Sequence, residues 1–267
     1  MTKSGGKSES QVAIVGGGIA GLTCASQLQA VGVSVTVFDK GRKPGGRMST
    51  RSVDDKFSFD YGCQFFSADD PIFDRQVKSW LDSGVVSVWR GSVVEFTDGQ
   101  VIEKSSTRPR YVGVPEMASV CSHLASGINV RSGVDVNEVR RIDDMWHLLD
   151  ESGTSLGEFN ALIVATPPAQ AEKLLNYAPS LRSAARQVRM SLCWSVMLAF
   201  PERLDCSFDG AVVQNSPLSW IARNNSKASR IVATECWVGQ ANAEWSANCL
   251  DASGDAIAAE LSNEFAK

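Results

Sequence analysis

Three glycines and one acid near the start of the chain carry its strongest chemical signal. Gly16, Gly18 and Gly21 form the pattern G-x-G-x-x-G, and Asp39 follows 18 residues after the last of them. Gly16 permits a tight turn, Gly18 lets backbone approach a pyrophosphate, and Gly21 lets a helix pack close to a strand. A helix that starts at Ile19 and Ala20 would offer free N–H groups and its positive dipole end to phosphate oxygens. A carboxylate at Asp39 would accept hydrogen bonds from a ribose. The chemistry is the holding of a dinucleotide.

Those residues work only if strands and a helix place them. Val12 to Val15 is apolar throughout, as expected of a strand buried on both faces of a parallel sheet. Leu22, Ala25, Leu28 and Val31 recur at helical spacing, and Gly32 is placed to stop that helix. From Val33 to Val37 the alternation returns to period two, which predicts a second strand ending at Asp39. Glycines cluster in many turns, so the triad alone is weak. Strand, turn, helix, strand and acid at the required spacing make a dinucleotide site the stronger reading.

After Lys40 the chain runs GRKPGGRMST, a loop rich in glycine and arginine. An ordinary nicotinamide dehydrogenase would instead enter another helix and a third strand. An arginine in such a loop can add charge-assisted hydrogen bonds to a pyrophosphate. For any one of Arg42, Lys43, Arg47 and Arg51, a solvated basic loop is the competing reading.

The stretch VTVFDKGRKPGGRMST resembles the second strand and GGR motif of the flavin-containing amine oxidase superfamily, and its Asp-Lys pair resembles the renalase-like branch. FDYGCQFFSADDPIF (59–73), YVGVPEM (111–117), LIVATPPAQAEKLL (162–175), SPLSWIARNNSK (216–227) and ECWVGQANAEWS (235–246) continue the resemblance in the family's order. It implies an FAD cofactor and a position-by-position cofactor motif of Gly16, Gly18, Ile19, Ala20, Gly21, Asp39, Lys40, Gly46, Arg47 and Met48. It also implies that Gly62, Gln64 and Phe65 pass close to the flavin ring and that Val136 lies against the adenine. Ala165 and Thr166 are candidate backbone contacts by the same resemblance; a strand that stops at Pro167-Pro168 for packing reasons is an equal alternative.

Hydride transfer to a flavin needs no protein base when the donor is good, so no catalytic residue is assigned. His123 falls on a predicted helix and His147 on a strand, and both read as structural. No G-x-S-x-G elbow supports a serine nucleophile. Relatives roof the flavin with an antiparallel sheet. Trp220 is therefore a candidate to stack on a planar substrate, and Arg223 or Lys227 to meet its phosphates; core aromatics and surface charges are the bland alternative.

Between these motifs lie a helix over 115–126, with Pro115 in its first turn, and short strands at 128–130, 134–139 and 146–149. Ala161 to Ala165 reads as a strand buried on both faces, followed by a helix at 169–175. Leu192 to Phe200 and Ser219 to Arg223 read as strands. The last predicted element is a helix from Ala252 to Lys267, with Ile257, Leu261 and Phe265 on one face. Complete relatives carry a further Gly-Asp segment and closing helix, so the resemblance implies a truncated chain, for which the alternatives to an FAD oxidoreductase are a non-catalytic nucleotide-binding remnant and an NAD(P)-dependent Rossmann dehydrogenase.

The expected fold is α/β. A discontinuous FAD-binding Rossmann-like domain of the glutathione-reductase type spans 11–68 and 112–168, and an antiparallel-sheet substrate domain spans 69–111 and 169–267. The polar residues 1–10 read as a frayed tail without the apolar core of a secretory signal. A net charge of -4 argues against nucleic-acid or anionic-membrane partners and leaves a small molecule as the expected one. The seven cysteines and two histidines form no metal-like spacing. Scattered unpaired cysteines fit a reducing compartment, the cytosol by default or a soluble organelle matrix.

Overall fold

The computed structural model describes residues 10–54, 56–103, 108–230 and 233–267. The expected tail at 1–10 lies outside the described residues except for Ser10. The chain divides into two compact units, one of residues 1–46 and 121–190, the other of residues 47–120 and 191–267. The expected boundaries differ from this division: 47–68 and 112–120 belong to the second unit and 169–190 to the first.

The first unit is built on a parallel sheet in the order Ala161–Val164, Gln11–Val15, Ser34–Asp39, Asn129–Ser132. Val12 to Val15 is buried, as its unbroken apolar run requires. The helix Ile19–Ala30 buries Gly21, Leu22 and Ala25, and the chain leaves it through Gly32 at φ 81. Val31 is 76% exposed, because the helix ends one residue before it. Ala161–Val164 is only half-buried, not enclosed on both faces as expected, because among the described strands it pairs on one side alone. A three-stranded antiparallel sheet of Glu138–Ile142, Met145–Leu149 and Ser155–Phe159 completes the unit. Its core joins Phe38, Val136, Val139, Leu148 and Phe159, the two phenylalanine rings meeting edge to face at 5.7 Å. The strand expected from Val134 starts only at Glu138, since Gly133 and Val134 spend their N–H groups on the carbonyls of Gly41 and Asp39. Helices Pro168–Leu174 and Pro179–Gln187 follow the edge strand.

The second unit centres on six strands in the order Ser195–Phe200, Glu235–Ala241, Leu218–Arg223, Gly210–Val213, Val93–Thr97, Gln100–Glu103. The expected antiparallel sheet is mixed instead: Gly210–Val213 and Val93–Thr97 run parallel, joined by a long intervening stretch of chain. The helix Gly254–Phe265 lays Ile257 and Leu261 against Val196, Leu218 and Ala241, as the sequence periodicity predicts. The helix Pro71–Asp82 starts on Asp70, whose side chain accepts from Ile72 N at 2.8 Å and Phe73 N at 3.0 Å. Pro115 follows a cis bond and precedes the helix, which runs Ser119–Leu124, so it does not occupy the first turn. After the single turn Gly46–Met48 comes a hairpin of Arg51–Val53 and Phe57–Phe59, not a second crossover helix.

Candidate functional site

In the first unit the glycine turn has the geometry of a phosphate cradle. Gly16 sits at φ 115, and a side chain there would come within 2.7 Å of the Ala165 carbonyl oxygen. A Cβ on Gly21 would collide with the carbonyl oxygen of Gly16. Each position is therefore closed to any residue with a side chain. The turn ends at Gly18, the residue before the helix, which has extended backbone and no side-chain cap. The first N–H groups of a helix have no partner within it. Here Ile19 is half-buried and Ala20 exposed.

Asp39 closes the turn from the second strand. Its Oδ2 accepts from Gly17 N at 2.5 Å and its Oδ1 from Gly41 N at 2.7 Å. One carboxylate thus ties the glycine turn to the loop after the strand and keeps further lone pairs for a ligand hydroxyl. The Gly-rich loop then folds back: Gly45 N donates to Gly17 O at 3.0 Å, and Gly46 packs so close that a Cβ there would lie 3.2 Å from Gly18 Cα. Lys40 is exposed beside it. Ala165 N donates to Val15 O at 2.8 Å, fixing the last residues of the edge strand against the turn. The next residue, Thr166, has a buried hydroxyl with no partner among the described residues. Val136 is a core residue of this unit, packed with Phe38 and Phe159.

The remaining expected cofactor residues fall in the second unit. Arg47 is exposed and Met48 buried. The Arg47 carbonyl accepts from Cys63 N at 2.8 Å and leaves no room for a side chain on Gly62. Gln240 Nε2 donates to the Gly62 carbonyl at 2.7 Å. Phe65 belongs to an aromatic cluster, 5.4 Å from Trp220 and 5.9 Å from Trp89, with the Arg110 guanidinium 5.6 Å from its ring. Trp220 is half-buried, and its Nε1 has no partner among the described residues.

Gln64 leads to a charge cluster that sequence reasoning did not anticipate. Its side-chain amide donates to the Asp60 carbonyl, and its Oε1 accepts from Lys227 Nζ at 3.1 Å. Lys227 Nζ also donates to Asp60 Oδ2 and Asn224 Oδ1, both at 3.2 Å. Arg230 Nη2 donates to Asp60 Oδ2 at 2.6 Å, and its Nη1 donates to the carbonyls of Gly113, Pro115 and Ala228. Asp60 Oδ1 accepts from Thr50 Oγ1 at 2.7 Å and Met117 N at 3.0 Å. The side chains of Asp60 and Lys227 are 0% exposed. Lys227 therefore does not reach solvent to meet a phosphate, contrary to expectation.

Burial alone would raise the Asp60 carboxyl; Lys227, Arg230 and the guanidinium hydrogen bond overcome it and hold the group at about 2. Burial pushes the Lys227 ammonium down, with the Asp60 charge opposing that and the Arg230 charge adding to it. Burial raises the neighbouring Cys63 thiol, with the Lys227 charge pulling the other way. With all three groups ionised, the cluster of one carboxylate and two cations carries one excess positive charge.

Arg223 is also not the open phosphate contact expected of it. Its side chain is 3% exposed, lies 5.1 Å over the Trp237 ring, and donates from Nη2 to Leu204 O and Cys206 Sγ. His123 lies on its helix, exposed, and His147 on its strand with Nδ1 3.5 Å from Glu158. Among the described residues no group of three His, Cys, Asp or Glu side chains could hold a metal ion. No helix among them is long and apolar enough to cross a membrane.

The structure thus brings Gly16, Gly18, Ile19, Ala20, Gly21, Asp39, Gly46, Ala165 and Thr166 to one cradle within the first unit. The fold and that cradle define a mixed α/β protein with a Rossmann-like dinucleotide-binding domain. Residues 14–82 match the family described as NAD(P)-binding Rossmann-like domain. The chain is 28% identical over 126 residues to glutamate synthase [NADH] of Schizosaccharomyces pombe (strain 972 / ATCC 24843), a match covering 43% of this chain. It is 47% identical over 51 residues, 19% of its length, to 4,4'-diapophytoene desaturase (4,4'-diaponeurosporene-forming) of Staphylococcus haemolyticus (strain JCSC1435). The matched segments span 5% and 10% of those curated relatives. Among solved structures, a protein assigned as a protoporphyrinogen oxidase from Exiguobacterium sp. 255-15 superposes with a TM-score of 0.76 at 12% identity, covering 96% of this chain and 82% of that one. Putrescine oxidase bound to putrescine superposes with a TM-score of 0.71 at 14% identity, covering 96% and 81%. At such identities the likeness is one of fold.

Proposed function

We propose that the chain binds FAD and acts as an oxidoreductase of the renalase-like branch of the flavin-containing amine oxidases. A small organic donor, an amine or a dihydronicotinamide-type compound, gives up a hydride, and dioxygen or another acceptor finally takes the electron pair. The reading is carried by one observation: the glycine turn is closed over by the Gly45–Gly46 loop while the Thr166 hydroxyl stays buried without a partner among the described residues. A cradle of backbone donors beside an unspent hydroxyl fits a dinucleotide better than a plain turn, which has no use for either. The resemblance of the GGR loop to flavoprotein relatives, and the oxidase names among the structural neighbours, point to FAD.

FAD, when bound, supplies the hydride-accepting ring. The chain's own residues would bind and orient. Ile19 and Ala20 offer helix N-terminal donors to the diphosphate. Asp39 accepts from a ribose while its other contacts hold the turn shut. Lys40, Gly46, Arg47 and Met48 follow the cofactor motif of the family, and Val136 the adenine position. Gly62, Gln64 and Phe65 belong to the flavin side by the same resemblance, with Trp220 as a stacking surface for substrate. Gln64 would be held there rigidly, because both ends of its amide are already bonded. The partner is a small molecule, and the compartment proposed is the cytosol.

A nicotinamide-dependent dehydrogenase is the second reading, favoured by the description of the family matched at 14–82. The visible absorption spectrum of the purified protein, followed by heat release and identification of the nucleotide, separates the two. A flavin spectrum with stoichiometric FAD is expected. Release of NAD(P) from a colourless protein would establish the second reading. A colourless protein that takes up neither would remove both, and FAD without turnover of amine or dihydronicotinamide would leave a nucleotide-binding protein only.

A further inference from the structure

The charges buried in the second unit do not balance. Lys227 and Arg230 share a single carboxylate oxygen, Asp60 Oδ2, at 3.2 and 2.6 Å. The three side chains are at most 1% exposed. One cation would have matched the carboxylate, and a second, sealed from water, is costly unless something gains from its charge.

The hydrogen bonds fix the charge count. Lys227 Nζ donates to Asp60 Oδ2 at 3.2 Å, Gln64 Oε1 at 3.1 Å and Asn224 Oδ1 at 3.2 Å. Three acceptors need three N–H donors, which only the ammonium form has. The other end of each amide keeps the oxygens turned to Lys227: Gln64 Nε2 donates to the Asp60 carbonyl, and Asn224 Nδ2 to Ser58 O at 2.7 Å. Asp60 accepts from four side-chain and backbone donors, Thr50 Oγ1 and Met117 N at Oδ1, Lys227 and Arg230 at Oδ2, as an unprotonated carboxylate does. Arg230 is always charged. Among the described residues no second carboxylate pairs with either cation. The cluster therefore holds one positive charge in excess.

Gln64 joins that charge to the proposed site. Its amide is bonded to Lys227 at one end and to the Asp60 backbone at the other, and it stands between Gly62 and Phe65, on the stretch that the flavin reading sets beside the ring. We propose that the Asp60–Lys227–Arg230 cluster tunes the reduction potential of the bound flavin, its excess positive charge favouring the reduced, negatively charged ring. The inference rests on the flavin reading. A hydride brings two electrons and one proton, so a neutral oxidised ring becomes an anion when it accepts one. In a water-excluded interior a fixed positive charge stabilises that anion over the neutral form. Lys227 and Arg230 act through their field and through Gln64, and touch neither substrate nor a proton in transfer.

The test is the potential of the bound flavin, measured against a redox dye at one pH in the wild type and three charge variants. Lys227→Gln and Arg230→Gln each remove the excess charge, and each is expected to lower the potential by about 30 mV, a tenfold change in the two-electron equilibrium. Asp60→Asn doubles the excess and is expected to raise it by a similar amount. Loosened packing would move all three variants the same way, whereas charge gives opposite signs. The wild-type flavin is expected to be more easily reduced than free FAD in the same buffer, a comparison for which no variant has to fold. Shifts of one sign in all three variants, no shift in any, or a wild-type potential at or below that of free FAD would overturn the proposal. A wild type that holds no flavin would instead overturn the flavin reading, and this inference with it.

Discussion

The cradle at Gly16–Gly21 and the cluster at Asp60 treat polar groups in opposite ways. In the first unit, backbone donors at a helix start and the Thr166 hydroxyl are left unspent, and hardly a charged side chain is used. In the second, one carboxylate, an ammonium and a guanidinium are sealed from water, and Lys227 Nζ donates to three side-chain oxygens. Unspent polar groups ask for a ligand; fully bonded buried ones answer each other. Buried charge is thus no guide to the binding site here. The cluster at Asp60 reads first as an internal fastening, and the place to look for a nucleotide is the nearly neutral turn.

Asp60→Asn is the hardest test of that distinction. It would leave two buried cations without a counter-charge, and a loss of about 3–5 kcal/mol in urea unfolding is expected. A loss within 1 kcal/mol of wild type would show that the cluster is not a fastening at all. Gly21→Ala should come next, destabilising by about 3 kcal/mol, because the new methyl group meets backbone at Gly16 that has nowhere to move. Here the second readout matters most, since nucleotide retention should vanish even in the fraction that folds.

Acid provides a gentler probe. The Asp60 carboxyl sits at about 2 in the folded protein against an ordinary value of 3.8, so its contribution is present above pH 3.8 and fades as pH falls toward 2. Integrated over that window the loss is about 2 kcal/mol, read as a falling urea midpoint from pH 5 downward. A midpoint that stays level to pH 3 would remove this contribution of Asp60, and a fall equally steep in Asp60→Asn would assign the acid sensitivity to other groups. The smallest effect belongs to Thr166→Val. Removing an unpaired hydroxyl should leave the nucleotide-free protein unchanged or slightly firmer, yet weaken nucleotide binding by about 1 kcal/mol, roughly fivefold. If affinity is untouched, the hydroxyl faces no ligand.

The glycine turn of the cradle was legible because each of its parts has a local cause, whereas Ala165 and Thr166 came only through the family resemblance. A tight turn, a close approach and a helix start all lie within the residues from Gly16 to Gly21, and Asp39 follows at the end of the next strand. The Asp60 cluster was not legible, since its members stand at 60, 64, 224, 227 and 230, and no spacing joins them. Lys227 and Arg230 stand between two strands, where charged residues read as a solvated loop. Arg223 misled for the same reason: its ion partners Asp209 and Glu235 come from elsewhere on the sheet. Apolar runs showed which segments are strands but not their order. The parallel joint of Gly210–Val213 with Val93–Thr97 could not be read from either segment.

That wiring also sets an order of events for a chain emerging from the ribosome. Asp60 appears early, while Lys227 and Arg230 lie 167 and 170 residues further on. Strand Val93–Thr97 must likewise wait for Gly210–Val213. Contacts that close such long loops form slowly. Until they do, the segment around Asp60 has a carboxylate with no counter-charge beside the apolar Phe57 and Phe59. The second unit should therefore complete itself only after the residues from Lys227 to Ala241 have been made, with the segment around Asp60 waiting for them.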